Sequence, residues 1–414
     1  MFWKILFVCF AWIVFTWKEP KDTIVPSIVW NDTSLSMLQL KRVPAFLVAA
    51  PTNTQWNTSH WTLDHVLKNL PKRVVVKHSI TSTFRHYDPT LELANVFPSK
   101  ESTLKVHRRQ LHSLITQTKN GSYYLNDELV KLSTQLAKDI NPIYNFVAPG
   151  MENSAMVKLW LGGPSGVVNL HYDATHNVFH QIHGAKRFLL FPPEAYEGLY
   201  LYSRLHPSHR QSQLDLSQSV SELIKHFPRF STAADMMIDV TLNPGDTMYL
   251  PPFWFHCVLT SSPSISVNVW SDAEELKFLN QAMSNPLPYL EALEEIGAIY
   301  DLNSHLAHLQ LFLKLILSRL VEKPLSLAQK ILENQAKYMP TTAVRCGEFQ
   351  TKKAAMDATL TLKPFVDEFV AISFGQMQIQ SSREILLMSY LEALMGNYMT
   401  AGQIGPFLRH CVVP

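Results

Sequence analysis

Eight short apolar stretches fall between residues 156 and 270, at 156–161, 167–172, 177–182, 186–191, 239–242, 247–250, 256–260 and 265–270. Turns rich in Gly, Pro, Asn and Ser separate them. Each stretch is too short for a stable helix, and a succession of such segments reads as an antiparallel jelly-roll or barrel. Ahead of this block lie an apolar run at 45–50, a helix at 62–70 behind Trp61, a strand at 73–76 and helices at 104–118 and 127–140. Past Ser271 the pattern is helical to the end. Leu306, Leu309, Leu313, Ile316 and Leu320 are spaced alternately three and four apart, as on an amphipathic helix packed against its own domain or, on a second reading, a dimer seam. Ser326 with Gln329 and Ser381 with Glu384 read as capping boxes, and Gly396 as a helix stop.

The expected division is a targeting segment at 1–17, a polar, Pro-containing linker at 18–40 and a mixed flanking region at 41–150. A β core at 151–275 and an all-α region at 276–414 follow, which makes the chain α+β. The targeting segment departs from globular composition, because Ile5 to Trp17 is uncharged and apolar and is followed by Lys18-Glu19-Pro20-Lys21. Such a run spans about 20 Å as a helix, short of a ~30 Å hydrocarbon core, as in a signal peptide. The junction lacks small residues at the usual spacing, and Met1 to Trp3 could lengthen the span if Lys4 snorkels, so an uncleaved signal anchor stands beside that reading. The expected location is the endoplasmic reticulum lumen or the secretory pathway, where Asn31, Asn57 and Asn120 would be glycan acceptors.

Composition narrows the partners. Lys plus Arg number 36 against 34 Asp plus Glu, a formal charge of +2 with no basic block, so a nucleic-acid groove has no electrostatic support. With 47% hydrophobic and 17% charged residues, disorder is excluded. Cys9, Cys257, Cys346 and Cys411 contain no C-x-x-C pair, which argues against a zinc knuckle and leaves room for one or two disulfides.

Within the β block, His171-Tyr172-Asp173 sets an imidazole and a carboxylate two residues apart, and on a strand such residues share a face. Both can therefore reach one metal. A facial set of two histidines and one carboxylate leaves positions open on iron, and His256, at the start of a strand behind Pro251-Pro252, is the candidate third ligand. The spacing alone is weak, since His86-Tyr87-Asp88 repeats it. That copy runs into Pro89 outside any alternating strand and reads as a loop. Lys186 shares a strand face with Phe188 and Leu190, and pointing into a barrel it would need an anion; otherwise Lys186 and Arg187 exchange faces and the lysine is solvated. Cys257 alternates with His256 and is expected to face packing, and His176, His180 and His183 receive no role.

These residues resemble the JmjC-type, cupin-fold oxygenases that use iron(II) and 2-oxoglutarate, and among them asparaginyl hydroxylases of the factor-inhibiting-HIF type. The matching stretches are His171-Tyr172-Asp173, Asn177-Val178-Phe179, residues 184–193, His206-Pro207, residues 210–215, Pro244-Gly245-Asp246, His256 and Val267-Asn268-Val269-Trp270. Trp56, Trp61 and Tyr124-Leu125 match more weakly, and residues 1–40 and 285–414 are not covered. The resemblance implies a double-stranded β-helix core in which His171, Asp173 and His256 hold catalytic iron(II), with 2-oxoglutarate and O2 as co-substrates. It further implies that Lys186 pairs with the distal carboxylate of 2-oxoglutarate and that Tyr124 adds a hydrogen bond there. Asn177 and Asn268 would lie near the chelating end, and Arg210 and Gln211 would hold the amide of a target asparagine. Val168 departs from the pattern, standing where the family usually has a hydroxylated residue that contacts the co-substrate. One lost hydrogen bond, worth about 0.5–1.5 kcal/mol, weakens binding without abolishing it.

The activity so implied is hydroxylation of a protein or peptide at an Asn, Asp or His-type side chain. An inactive jelly-roll that binds a partner, a demethylase using the same site, and a homodimer built through the C-terminal helices are further options. The intact ligand set argues against the inactive form.

Overall fold

Two facing β-sheets form the centre of the computed structural model, which describes residues 25–117 and 121–413. The targeting segment and Asn120 lie outside the described residues. In chain order the strands are β1 (Ser27–Val29), β2 (Ala45–Val48), β3 (Arg73–Ser79), β4 (Thr83–Phe84), β5 (Ser102–His107), β6 (Ser122–Glu128) and β7 (Met156–Gly162). They continue with β8 (Val167–Tyr172), β9 (Thr175–His183), β10 (Lys186–Phe191), β11 (Ile238–Leu242), β12 (Thr247–Leu250), β13 (Phe255–Thr260) and β14 (Ser264–Asp272). The larger sheet runs β1-β2-β12-β9-β14-β7-β6-β3-β5 and the smaller β11-β10-β13-β8-β4. The eight strands expected from the apolar stretches are β7 to β14, four in each sheet and antiparallel to their neighbours within the block. This is the double-stranded β-helix.

Three apolar layers follow from strand alternation. Phe179, Phe188, Leu190, Met248 and Val258 fill the space between the sheets. On the outer face of the larger sheet, Leu159, Leu161, Val267 and Val269 pack against Val66 and Leu67 of helix Leu63–Asn69 and Leu111 and Ile115 of helix Arg108–Thr116. On the outer face of the smaller sheet, Leu189, Phe191, Phe255 and Cys257 join the core of the C-terminal helices. Leu189 and Phe188 thus lie in different layers, which is why β10 reads as continuously apolar rather than alternating.

Several expectations require correction. Residues 25–40 are not a linker: β1 pairs in parallel with β2, and helix Ser34–Lys41 buries Leu35 and Leu38. Backbone pairing to an existing sheet edge, rather than any side-chain period, orders this segment. The helix expected over 104–118 is strand β5 followed by a helix from Arg108. Edge strand β5 keeps its side chains exposed or half-buried, so no apolar alternation marks it, and His107 with Gln110 forms the capping box that starts the helix. The helix expected over 127–140 opens as the end of β6 and is broken at Ser133, whose extended backbone and hydroxyl cap the piece Thr134–Asp139.

In the C-terminal region, Ser326 lies inside helix Pro324–Ala336, which starts on its proline, and Ser381 lies inside helix Gln380–Gly396 and donates its hydroxyl to Glu194. Neither is a capping box. Gly396 does end its helix. Leu306, Leu309, Leu313, Ile316 and Leu320 all lie on helix Leu302–Leu320 and are buried in the chain's own core, so this stripe is not a dimer seam. Cys346 and Cys411 form a disulfide across the helical region, and Cys257 is a buried free thiol whose pKa burial pushes up to about 12.

Candidate metal centre

The open end of the β-helix holds a cavity of ≈ 340 Å³ walled by Phe84, Trp160, Phe179, Phe188, Val258 and Trp270. Antiparallel pairing of β8 with β13 sets His171 directly opposite His256, their ring centroids 4.1 Å apart. Asp173 follows one residue beyond β8, and its Oδ2 is 3.7 Å from His256 Nε2. One ligand atom from each of the three residues lies within 4.8 Å of the others.

The backbone fixes both imidazoles. His171 Nδ1 donates to the Asn169 carbonyl at 2.7 Å and His256 Nδ1 to the Trp254 carbonyl at 3.0 Å. A carbonyl can only accept, so each ring carries a proton on Nδ1 and turns Nε2 toward the cavity. Burial, reinforced by His171, depresses the His256 pKa to about 4. Burial opposes ionisation of Asp173, but His171, His256, Arg210 and Lys158 outweigh it and hold the pKa below the ordinary carboxylate value. Two imidazoles that each turn Nε2 into the cavity and one carboxylate are the donor set that a divalent metal takes.

The other His-Tyr-Asp copy is a loop. Asp88 is half-buried and accepts hydrogen bonds from the backbone and hydroxyl of Thr90, and His86 meets His209 edge to face at the cavity. His60, His65 and Asp139 form another close group, with Asp139 Oδ2 also accepting from the Trp61 indole, but they lie outside this cavity. His176 and His180 hydrogen-bond Tyr249 and Thr247 through Nδ1 inside the larger sheet, and neither lines the cavity.

Lys186 begins β10 and faces the barrel interior, only 2% exposed. Its Nζ lies 5.2 Å from the Phe179 ring centroid and 6.0 Å from that of Tyr124, and no carboxylate among the described residues pairs with it. Burial drives its pKa down to about 7. Arg187 turns to the other face and pairs bidentately with Asp239, so the two residues do not exchange faces. Tyr124, on β6, is held between Phe84 and Trp160 with centroids 5.3 and 5.7 Å away, and burial raises its pKa. Trp160 Nε1 donates to Asn268 Oδ1 at 2.7 Å, and Asn268 Nδ2 donates to Asn177 Oδ1 at 3.0 Å. This relay leaves the Asn177 NH2 as the donor for the cavity. Val168 lines the same wall.

Arg210 and Gln211 reach the cavity through a bridge between Gln211 and His171. Gln211 Nε2 is already committed to the His86 carbonyl at 2.8 Å. One of its two N–H donors is thereby taken, and Oε1 is left as an acceptor. Sequence reasoning missed Lys77, Arg85, Lys158 and Trp160, which also line the cavity. Lys158 and Trp160 stand two apart on β7, so alternation within an otherwise apolar strand was the available signal.

A family model for a cupin-like domain matches residues 36–276. The chain is similar to HSPB1-associated protein 1 of Rattus norvegicus, 28% identical over 233 residues that cover 53% of this chain and 47% of that one. It is 32% identical over 157 residues to Jumonji C domain-containing protein 5 of Drosophila melanogaster, 36% of this chain and 37% of that one. With Lysine-specific demethylase JMJ30 of Arabidopsis thaliana the identity is 33% over 150 residues, 36% and 33% of the two chains. The chain spans about half the length of the HSPB1-associated proteins that it matches.

Proposed function

The chain belongs to the cupin-like, JmjC-domain family, and from that premise we propose that it is an iron(II)- and 2-oxoglutarate-dependent protein hydroxylase. The observation that carries this reading is the convergence, in one cavity, of His171, Asp173 and His256 with the buried and unpaired Lys186. The donor set fits iron(II), and the lone ammonium fits the distal carboxylate of 2-oxoglutarate.

With iron bound, 2-oxoglutarate, O2 and a substrate C–H are converted to succinate, carbon dioxide and the C–OH product. His171 and His256 would hold the metal through Nε2 and Asp173 through its carboxylate. Lys186 would give the co-substrate a charge-assisted anchor, with the Tyr124 hydroxyl beside it. Asn177, oriented by the Trp160–Asn268 relay, would donate to the chelating end. Phe179, Phe188 and Trp270 keep bulk water from the reacting carbon. Arg210 as donor and Gln211 Oε1 as acceptor would orient an Asn, Asp or His-type side chain at the mouth.

A demethylase would have to admit a methylated ammonium or guanidinium into a cavity that already carries Lys77, Arg85, Lys158 and Lys186, none of them ion-paired among the described residues, so hydroxylation is the preferred reading. We place the reaction in the secretory pathway. The Cys346–Cys411 disulfide supports an oxidising compartment, and Asn31 and Asn57 are exposed. Among the described residues no helix is long and apolar enough to cross a membrane, so attachment, if present, would fall to the N-terminal segment.

The test is conversion of 2-oxoglutarate to succinate by the purified protein with iron(II) and ascorbate, coupled to one added oxygen on a peptide. A metal-loaded protein that forms no succinate with any peptide is a binding module, not an oxygenase.

A further inference from the structure

Five cationic side chains, Lys77, Arg85, Lys158, Lys186 and Arg210, line the cavity, and Asp173 is the one carboxylate among its lining residues. None of the five forms an ion pair among the described residues. On the proposed reading, iron(II), Asp173, the 2-oxoglutarate dianion and Lys186 sum to zero charge. Four cations then remain without a counter-charge. They are half-buried or exposed, unlike Lys186, and so lie on the solvent side of the reacting centre.

Nearby carboxylates do little to neutralise them. Glu101, which feels the charges of Lys77 and Arg85, is not among the lining residues; it accepts the Arg85 backbone N–H at 2.5 Å, and burial raises its pKa. Glu128, opposite Lys158 in the β6–β7 register, is paired with Lys131 at 2.6 Å, and Asp127 Oδ1 accepts the Glu128 backbone N–H at 2.8 Å. Lys158 Nζ lies 4.4 Å from the Trp270 ring centroid, and Arg85 Nε is buried without a hydrogen-bond partner among the described residues. Partly desolvated cations without partners attract an anion that brings its own geometry.

We propose that Lys77, Arg85, Lys158 and Arg210 select an acidic peptide segment, with Asp or Glu side chains flanking the residue that enters the cavity. The proposal rests on the hydroxylase reading for its biological sense. A peptide suits the site better than a nucleic acid. The chain's formal charge is only +2, and its cations ring an apolar-walled cavity sized for one side chain instead of forming a stripe that could track phosphates.

The experiment uses fluorescein-labelled dodecapeptides centred on one asparagine and flanked by Asp/Glu, Ser/Ala or Lys, with binding to the purified chain followed by anisotropy. The acidic peptide is expected to bind at least tenfold more tightly than the neutral one. Its Kd should rise as salt is raised from about 0.05 to about 0.3 M, because the Debye length falls over this range. Lys77→Glu and Lys158→Glu should each remove the preference. Lys158→Met keeps the aliphatic packing on Trp270 and separates lost charge from misfolding, and it should lower the preference severalfold. Equal binding of the three peptides, tighter binding of the Lys-flanked one, or displacement of the acidic peptide by an equally charged oligonucleotide would overturn the proposal. Succinate release by the unaltered protein is read separately. Release with indifferent peptide binding defeats acidic selection alone, and acidic selection without release defeats the oxygenase reading alone.

Discussion

Gln211 donates its side-chain amide to the backbone carbonyl of His86 across 2.8 Å, while Gln211 is itself bridged to His171. The loop carrying the first His-Tyr-Asp copy is thereby tied to the strand end carrying the second. Gln211→Ala leaves that carbonyl without its partner and should cost about 1–3 kcal/mol of stability. Gln211→Glu should destabilise in the same direction, since an ionised carboxylate cannot donate. Urea unfolding midpoints compared at constant m-value check both, and an unchanged midpoint in each would refute the tie.

At the metal centre, His171→Ala or Asp173→Ala should abolish stoichiometric metal binding, whereas Asp88→Ala should retain it. Metal at a hundredfold excess over Kd stabilises the fold by about 2.7 kcal/mol. A thermal melt with manganese(II) should therefore shift upward for the Asp88 variant and not for the other two. Equal shifts in all three would place the metal elsewhere.

Lys186 makes stability depend on pH in a direction unusual for a lysine. Its ammonium titrates near ~10.4 in the unfolded chain and at about 7 in the fold. Between those values the unfolded chain binds more protons, so the contribution of this group to stability rises with pH from about 7 to ~10.4 and is level below 7. Lys186→Met should remove that slope and stabilise the co-substrate-free protein at pH 7 by about 1–4 kcal/mol. The same change should weaken 2-oxoglutarate binding by roughly a hundredfold or more, the cost of leaving one buried charge unpaired. Chemical denaturation across pH and calorimetric titration of 2-oxoglutarate onto the metal-loaded protein measure the two effects, and a variant less stable than the parent at pH 7 would contradict the first.

The Cys346–Cys411 bond closes a loop with a sequence separation of 65. On the chain-entropy model such a crosslink contributes about 4 kcal/mol. Cys346→Ser should lower the unfolding midpoint accordingly, and the reductant sensitivity of the parent should vanish in the variant. If the parent melts identically with and without reductant, the bond is not formed in the isolated protein.

Secretory entry predicts glycans on exposed Asn31 and Asn57. Removal of Asn-linked glycans from protein expressed in animal cells should increase gel mobility, and Asn31→Gln with Asn57→Gln should reproduce most of that change. Mobility that no glycosidase alters would count against lumenal residence.

The β-helix was legible in the sequence because short apolar stretches set off by turns are a local property. All eight strands β7 to β14 fall where those stretches lie. The pairing of His171 with Asp173 was legible for the same reason, since residues i and i+2 on a strand share a face whatever the rest of the chain does. Strand β5 was not legible, because an edge strand with exposed side chains carries no apolar signature and is stabilised by backbone bonds to β3.

What the tertiary structure decided is which distant groups face one another. His256 lies opposite His171 because of an interstrand register, and one N–H of the Gln211 amide is taken by a carbonyl 125 residues away. Lys77 and Lys158 meet at one cavity because β3, β6 and β7 are neighbours in the larger sheet, an order that chain position does not reveal. Period and residue type are written along the chain and act over a few residues. Register, counter-charge and hydrogen-bond commitment depend on which strands become neighbours, and that is settled only when the two sheets close around their common core.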